Sequence, residues 1–514
     1  MRKWMIGLAL AGILGFVGVA LFMGPRPRGQ GALLAGEDAV AFVNIPDIPR
    51  TGFRWSQCAW ARIVAEPSMR GFLAEPQRML ASNADATEWK DKLAALLPGN
   101  VFLAVYPSAG DNPPPWVAGV QFWGKRADWD SLVQWLLPND GAAEEEHRGI
   151  AIQPGIWRGL RIHHAAAGRW GFASPDPQRL RDAIDRVTGE PSSPPLRGTA
   201  LFKAVHGYLD PEADLTAFLA LGEFWETLFQ IGDLLGASPN PSHAAAVRRV
   251  PAVGASWKIE GGDFQETLVA LAPESKTSAS PALPREMATG PETIAFLQAT
   301  CPPFLWEGLA LATGGEQSGL AALCAEALEP TFSTSLSAGA PHPSLTMTFP
   351  VKKPDSAVAL AEALTPILGS LPPDGGWDCG VGNGVFRISN NDGKFLQGPS
   401  PLKDSLSVER ARLGNPQILL AIDSAQSLKV LATFVEPSLR SARLTAGPLE
   451  FDFSRFPSLD VVAAHLSPLV LAGRRHVDAF TLESTGPATP LLAAGIAWAA
   501  LEEAQSRRAA NGEN

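Results

Sequence analysis

Catalytic signatures are what this sequence most plainly lacks. Its one Gly-dense stretch, Gly375 to Gly384, has no Lys-Ser or Lys-Thr after it and opens into the strand-like Val385-Phe386-Arg387-Ile388-Ser389. Phosphate cradles open into a helix, whose free N–H groups hold the anion, so a hairpin or bulge is expected there instead. No H-E-x-x-H, G-x-S-x-G or S-x-x-K with K-T-G pattern occurs, which leaves zinc-protease, esterase-like and penicillin-binding chemistries without their motifs. Carboxylate pairs for glycoside hydrolysis need no sequence motif, so an envelope hydrolase stays open as an alternative.

Cysteine is scarce: Cys58, Cys301, Cys324 and Cys379, with no C-x-x-C pair, which removes zinc-ribbon and thioredoxin-like readings. Cys301 and Cys324 are the nearest two in sequence and a possible disulfide if the body is exported; four buried thiols are the alternative. Histidine is thin as well. Of eight, only His163 and His164 adjoin, and neighbours on a strand face opposite ways. Glu144-Glu145-Glu146-His147 sits among Gly and Ala and reads as a solvated turn. No metal site and no cofactor is expected.

Basic runs are missing too. Acids outnumber bases by 52 to 42, for a net charge of −10, and no Lys/Arg stripe offers a face for phosphates, so nucleic acid is not expected as a partner. Tyrosine is limited to two residues while tryptophan reaches fifteen. Nine of the tryptophans lie between positions 55 and 170, where an exposed row would suit glycans. Trp116 and Trp123 are seven apart on a strand, however, and Trp129 and Trp135 six apart on a helix; neither spacing makes a flat platform. Packing in the core is the reading favoured.

What is present begins with Trp4 to Met23, twenty residues with neither charge nor proline, long enough to cross the roughly 30 Å hydrocarbon layer. Arg2 and Lys3 precede it, as in a segment whose N-terminus stays in the cytoplasm. Residues 1–23 are therefore expected to be a transmembrane anchor, with a cleaved signal ending near Gly18-Val19-Ala20 as the runner-up. Residues 24–37 read as a tether and the Ser/Pro/Ala-rich 272–285 as a linker. These leave a first half over 38–271, a second over 286–502 and a polar tail over 503–514.

The two halves look related. Val117–Trp123 followed by Lys125-Arg126-Ala127-Asp128 matches Leu345–Val351 followed by Lys352-Lys353-Pro354-Asp355, with each Asp placed to cap a helix. Leu160-Arg161-Ile162 matches Phe386-Arg387-Ile388, with returning strands at Gly168-Arg169-Trp170 and Gly393-Lys394-Phe395; Trp257–Glu260 matches Phe480–Glu483, with helices expected from Phe264 and Pro487. These offsets stay between 223 and 227 residues, whereas the opening strands, Ala39–Val43 and Thr293–Leu297, are 254 apart. A near-constant offset is the mark of duplication.

Strands of five to seven residues alternate with helices of ten to fifteen. Two strands, 101–107 and 417–423, are apolar throughout and expected to be buried on both faces. The fold class expected is thus α+β: a single N-terminal transmembrane helix followed by two duplicated α+β halves with mixed or antiparallel sheets flanked by helices. A closing helix is expected over 490–506, too short in its apolar run to span a bilayer. An N-terminal anchor, a strand ending in proline (Phe42-Val43-Asn44-Ile45-Pro46), a Trp-containing amphipathic segment and long strand–helix alternation follow one another. In this layout the chain resembles uncharacterised membrane-anchored bacterial envelope proteins of unknown function. The expectation is a non-enzymatic, membrane-anchored extracytoplasmic (periplasmic) binding or scaffold protein. Its partners would be the membrane, through residues 4–23, and other envelope proteins or glycans. A Trp-based glycan-binding protein is a further alternative.

Overall fold

The computed structural model describes residues 31–489 apart from 83, 109–113, 140, 158, 192, 223–247, 273–282, 285–288, 301–317, 339–342, 370–375, 391–399, 414–415, 442 and 447–448. The chain divides into two compact units, Met1–Glu274 with Ala442–Phe456, and Ser275–Ser441 with Pro457–Asn514.

In the first unit the described strands are β1 (Ala41–Ile45), β2 (Pro98–Val105), β3 (Trp116–Phe122), β4 (Glu145–His147), β5 (Ile150–Trp157), β6 (Leu160–Ala167), β7 (Trp170–Ser174), β8 (Leu215–Ala220), β9 (Ala252–Glu260) and β10 (Asp263–Leu271). They lie in the order β4-β5-β6-β7-β3-β2-β1-β8-β9-β10, and each pairing is antiparallel. The helices are α1 (Gly31–Leu34), α2 (Ile48–Trp55), α3 (Ala59–Ala65), α4 (Arg70–Ser82), α5 (Ala84–Leu96), α6 (Arg126–Leu136), α7 (Pro177–Thr188) and α8 (Ala200–His206). Apolar residues of α5 and α6 (Leu93, Leu96, Trp129, Leu132, Val133) close on Phe122 and Ala166 of the sheet. Each such burial contributes about 1.5–3 kcal/mol before ordering costs.

The second unit holds β11 (Thr293–Thr300), β12 (Thr331–Ser337), β13 (Ser344–Pro350), β14 (Trp377–Gly382), β15 (Val385–Asn390) and β16 (Ile418–Ile422), with helices α9 (Ser318–Ala327), α10 (Pro354–Gly369), α11 (Pro401–Leu413) and α12 (Ser424–Ser441). The next hairpin, β17 (Arg443–Ala446) and β18 (Leu449–Asp452), groups with the first unit, where Phe451, Phe453 and Phe456 gather 5.0–5.7 Å from the ring of Phe72 on α4. Helix α13 (Leu459–Ala463) and strands β19 (Leu469–Arg475) and β20 (Ala479–Gly486) return to the second unit. Its order is β14-β15-β13-β12-β11-β16-β19-β20, again antiparallel at every pairing. This repeats the order β6-β7-β3-β2-β1-β8-β9-β10 of the first unit.

The expected fold class, a transmembrane helix followed by two duplicated α+β halves with mixed or antiparallel sheets, is corrected. The described pairings contain no parallel strands: the ten strands of the first unit and the eight of the second are antiparallel to their neighbours within each unit. Among the described residues no helix is long and apolar enough to cross a membrane; residues 4–23 lie outside them. Alternating strands and helices in a sequence do not reveal which strands become neighbours: α6 joins β3 to β4 and α7–α8 join β7 to β8, strands that run the same way but do not pair, so each described pairing within a unit is antiparallel.

The pairwise matches need correction too. Phe386-Arg387-Ile388 falls on β15, which occupies the place of β7 and not of β6, and Phe480–Glu483 falls on β20, in the place of β10 and not of β9. Phe264 opens no helix: it belongs to β10, where Phe264, Glu266, Val269 and Leu271 are buried, close to the period of two that a strand imposes. Asp128 is the third residue of α6, not its cap, and its Oδ2 accepts from the Lys125 N–H at 2.6 Å. Asp355 is the second residue of α10. Strands β2 and β16 bury one face fully and the other only in part. The Gly-dense stretch does form a hairpin: Asn383 and Gly384 carry φ of +53° and +75° between β14 and β15, as a two-residue turn of the twisted-hairpin type requires. Residues 490–506 and Gly393-Lys394-Phe395 lie outside the described residues.

A cationic-rimmed cavity on the first unit

The described residues enclose a cavity of about 490 Å³ on one face of the first unit's sheet, within the roughly 300–1,000 Å³ usual for small-ligand sites. Its floor is Phe42 and Asn44 of β1 and Thr216 of β8, neighbouring antiparallel strands in which Asn44 lies opposite Thr216. One wall is α8, which brings Phe202, Lys203 and His206. Thr199 caps that helix, accepting from the Phe202 N–H at 3.3 Å. Phe202 is anchored edge-on against Phe42 and Phe218, at 5.9 and 5.3 Å between ring centroids. Phe202 and His206, one turn apart on α8, share the helix face that lines the cavity.

The second wall is α1, with Gly31, Ala32 and Leu33. Residues 31–37 had been expected in a tether, yet they are pinned. The Gly36 N–H donates to Tyr106 Oη at 3.1 Å, and the Leu196 N–H donates to Ala35 O at 2.9 Å. Gly31 packs so close that a Cβ there would sit 2.7 Å from Asn44 Oδ1 and 2.9 Å from Phe102 Cβ. Only glycine allows α1 to rest on the Asn44–Asn100 pair, in which Asn100 Nδ2 donates to Asn44 Oδ1 at 2.8 Å.

The third wall is the turn from Gly207 to Asp214. Buried Asp214 accepts from Arg54 Nη1 at 3.0 Å and from the Ile259 N–H at 2.9 Å, with Arg50 Nε 3.4 Å away. Arg50 Nη2 also donates to Ala213 O at 2.9 Å. This buried ion cluster makes the wall rigid.

The charges at the mouth do not balance. Arg197 and Lys203 are exposed, and neither has an ion-pair partner among the described residues. The one carboxylate lining the cavity, Asp210, lies 3.6 Å from Lys258 Nζ and accepts the Glu212 N–H at 2.7 Å. His206, half-buried and 5.0 Å from Phe202, is held below its ordinary pKa by burial first and by the charge of Arg197 second. A concave site with the Asn44 amide, the Thr216 hydroxyl and two exposed cations without ion-pair partners among the described residues can hold a small molecule.

The residues singled out in the sequence lie elsewhere. Cys324 is buried in α9 and Cys301 lies outside the described residues. Cys58 is buried, and burial raises its thiol pKa. His164 is buried while His163 is half-buried. The Glu144–His147 stretch is not a solvated turn: Glu145 pairs with Arg181, and His147 Nε2 meets Asp185 Oδ1 at 2.7 Å. Arg148 also bonds Asp185 and Glu190, tying the β4–β5 hairpin to α7. Burial works to raise the Asp185 pKa, but its bonds to His147 and Arg148 prevail and hold it low. Among the described residues no group of three or more His, Cys, Asp or Glu is placed to hold a metal ion. Every described tryptophan is buried or half-buried, with Trp89 stacked on Trp135 and Trp129 on Phe122. The sequence did hold one signal for the cavity, a lone Asn44 within the apolar run Ala41-Phe42-Val43-Asn44-Ile45.

No family model and no curated protein matches the chain. Among solved structures, crystal forms III, I and IV of TP0453 are similar to it, with TM-scores of 0.28, 0.26 and 0.27 at 11%, 12% and 11% identity. The likeness covers 50%, 49% and 48% of this chain and 83%, 81% and 81% of those chains. At such scores it carries no functional argument.

Proposed function

We infer that the chain is a non-enzymatic binding protein of the bacterial cell envelope, anchored by residues 4–23 with its body on the extracytoplasmic side. The observation that carries the binding reading is the cavity above β1 and β8, open to solvent and lined by Leu33, the Asn44 amide and two cations, Arg197 and Lys203, without ion-pair partners among the described residues. Among the described residues that line it Asp210 is the one acid, whereas glycoside hydrolysis uses a pair. Apolar residues 4–23, following Arg2 and Lys3, support the anchor and its orientation.

Two measurements test the reading. A reporter active only outside the cytoplasm, fused after Asn514, is expected to be active; activity confined to a cytosolic reporter at the same place overturns the location. Native mass spectrometry of the full chain, released from detergent, is expected to show mass adducts with small amphiphiles added singly. Unchanged masses with all of them overturn binding.

A further inference from the structure

Resting on the reading of that cavity as a ligand site, we propose that it takes an anion with an apolar body. The head group sits at Arg197 and Lys203 and the body lies against Ala32, Leu33, Pro46 and Pro211. Both cations stand exposed at the mouth without ion-pair partners among the described residues, whereas the neighbouring acid is already engaged with Lys258 and the Glu212 amide. The mouth therefore carries an uncompensated positive charge that a carboxylate or phosphate neutralises and an amine does not. Ala32 and Leu33 of α1, Pro46 and Pro211 line the cavity and keep accessible apolar surface, whereas the rings of Phe42 and Phe202 beneath it are 2% and 4% exposed and form its packed base. Among the described residues the amide of Asn44 and the hydroxyl of Thr216 are the uncharged polar side chains of the floor. A strongly hydroxylated ligand would leave most of its hydrogen-bonding groups unmatched there.

The test is isothermal titration of the full chain in maltoside micelles with octanoate, butanoate, octylamine and 1-octanol. The Arg197→Glu/Lys203→Glu double variant serves both as control for micelle partitioning and as a charge reversal. Both positions are exposed, so the variant is expected to melt with the wild type. Octanoate is expected to bind the wild type, and affinity to fall roughly fourfold for each methylene removed toward butanoate. The double variant is expected to lose about tenfold or more for octanoate and to gain octylamine binding. If octylamine or octanol binds the wild type as tightly as octanoate, or the double variant keeps octanoate affinity, the anionic assignment is overturned while the cavity remains a ligand site. If none of the four probes binds, the ligand-site reading falls with it.

Discussion

Acid should destabilise this fold through one residue whose contribution is calculable. His164 on β6 is 9% exposed, and burial drives its pKa down from 6.5 to about 4; nearby Asp130 opposes that shift, while Arg126 and His163 assist it. The unfolded chain takes up this proton near pH 6.5 and the folded chain only near 4. The contribution of the neutral imidazole is therefore fully present above pH 6.5 and is lost as pH falls from 6.5 towards 4. At 1.36 kcal/mol per pH unit the whole gap corresponds to about 3 kcal/mol, of which about 2 kcal/mol is lost by pH 5. The perturbation is His164→Leu, which removes the titrating group and keeps an apolar side chain in the site. Urea unfolding followed by circular dichroism at pH 7.5 and pH 5 gives four stabilities. Between those two pH values the wild type is expected to lose about 2 kcal/mol more than the variant. The cost of the substitution itself is common to both and cancels. Equal losses in the two proteins would refute the reasoning.

Two substitutions report on packing and on the cavity wall. Gly171 on β7 lies under the Trp129 indole, where a Cβ would come within 2.3–2.5 Å of three ring atoms; Gly171→Ala is expected to cost about 1–3 kcal/mol by overpacking, measured as a lowered thermal midpoint. Asp214→Asn removes the charge that Arg54 and Arg50 share and is expected to cost about 3–5 kcal/mol in denaturant unfolding.

Sequence reading reached the elements whose cause is local. The turn at Asn383-Gly384 needs left-handed backbone at both residues and the sequence supplies the pair suited to it, so that hairpin was legible. The opening strands, set against each other at offset 254, each bury a phenylalanine, Phe42 at 2% and Phe296 at 0% exposure. What failed depended on distant partners. Phe264 and Leu268 are four apart, as on a helix face, but β9 pairs with the segment residue by residue and makes it a strand. Three phenylalanines from 451 to 456 gave no hint that they assemble around Phe72. The Glu144–His147 run looked hydrated because its counter-charges, Arg181 and Asp185, lie some forty residues away. The cavity was invisible for the same reason: its lining comes from α1, β1, α8 and β8, and only Asn44 departs from its local pattern.

The second unit shows what the same strand face looks like when it is filled. Phe296 on β11 stands where Phe42 stands on β1, and two residues further come Gln298 and Asn44. Gln298 is fully buried, its Nε2 donating to Pro284 O at 2.9 Å and Ser333 Oγ at 3.1 Å. The helix leading into β16 is α11, of thirteen residues, whereas α8 leading into β8 has seven. The extra length carries Arg410 to the carbonyls of Leu283 and Pro284, each at 2.6 Å. Leu283 then closes with Leu402 and Leu406 over Phe296. In the first unit the shorter α8 stops at His206, and α1 comes near enough to touch Asn44 through Gly31 without covering it. The sheet face that α11, Arg410 and Leu283 cover in the second unit is thus reached in the first, among the described residues, by a helix six residues shorter, and the cavity lies at that place.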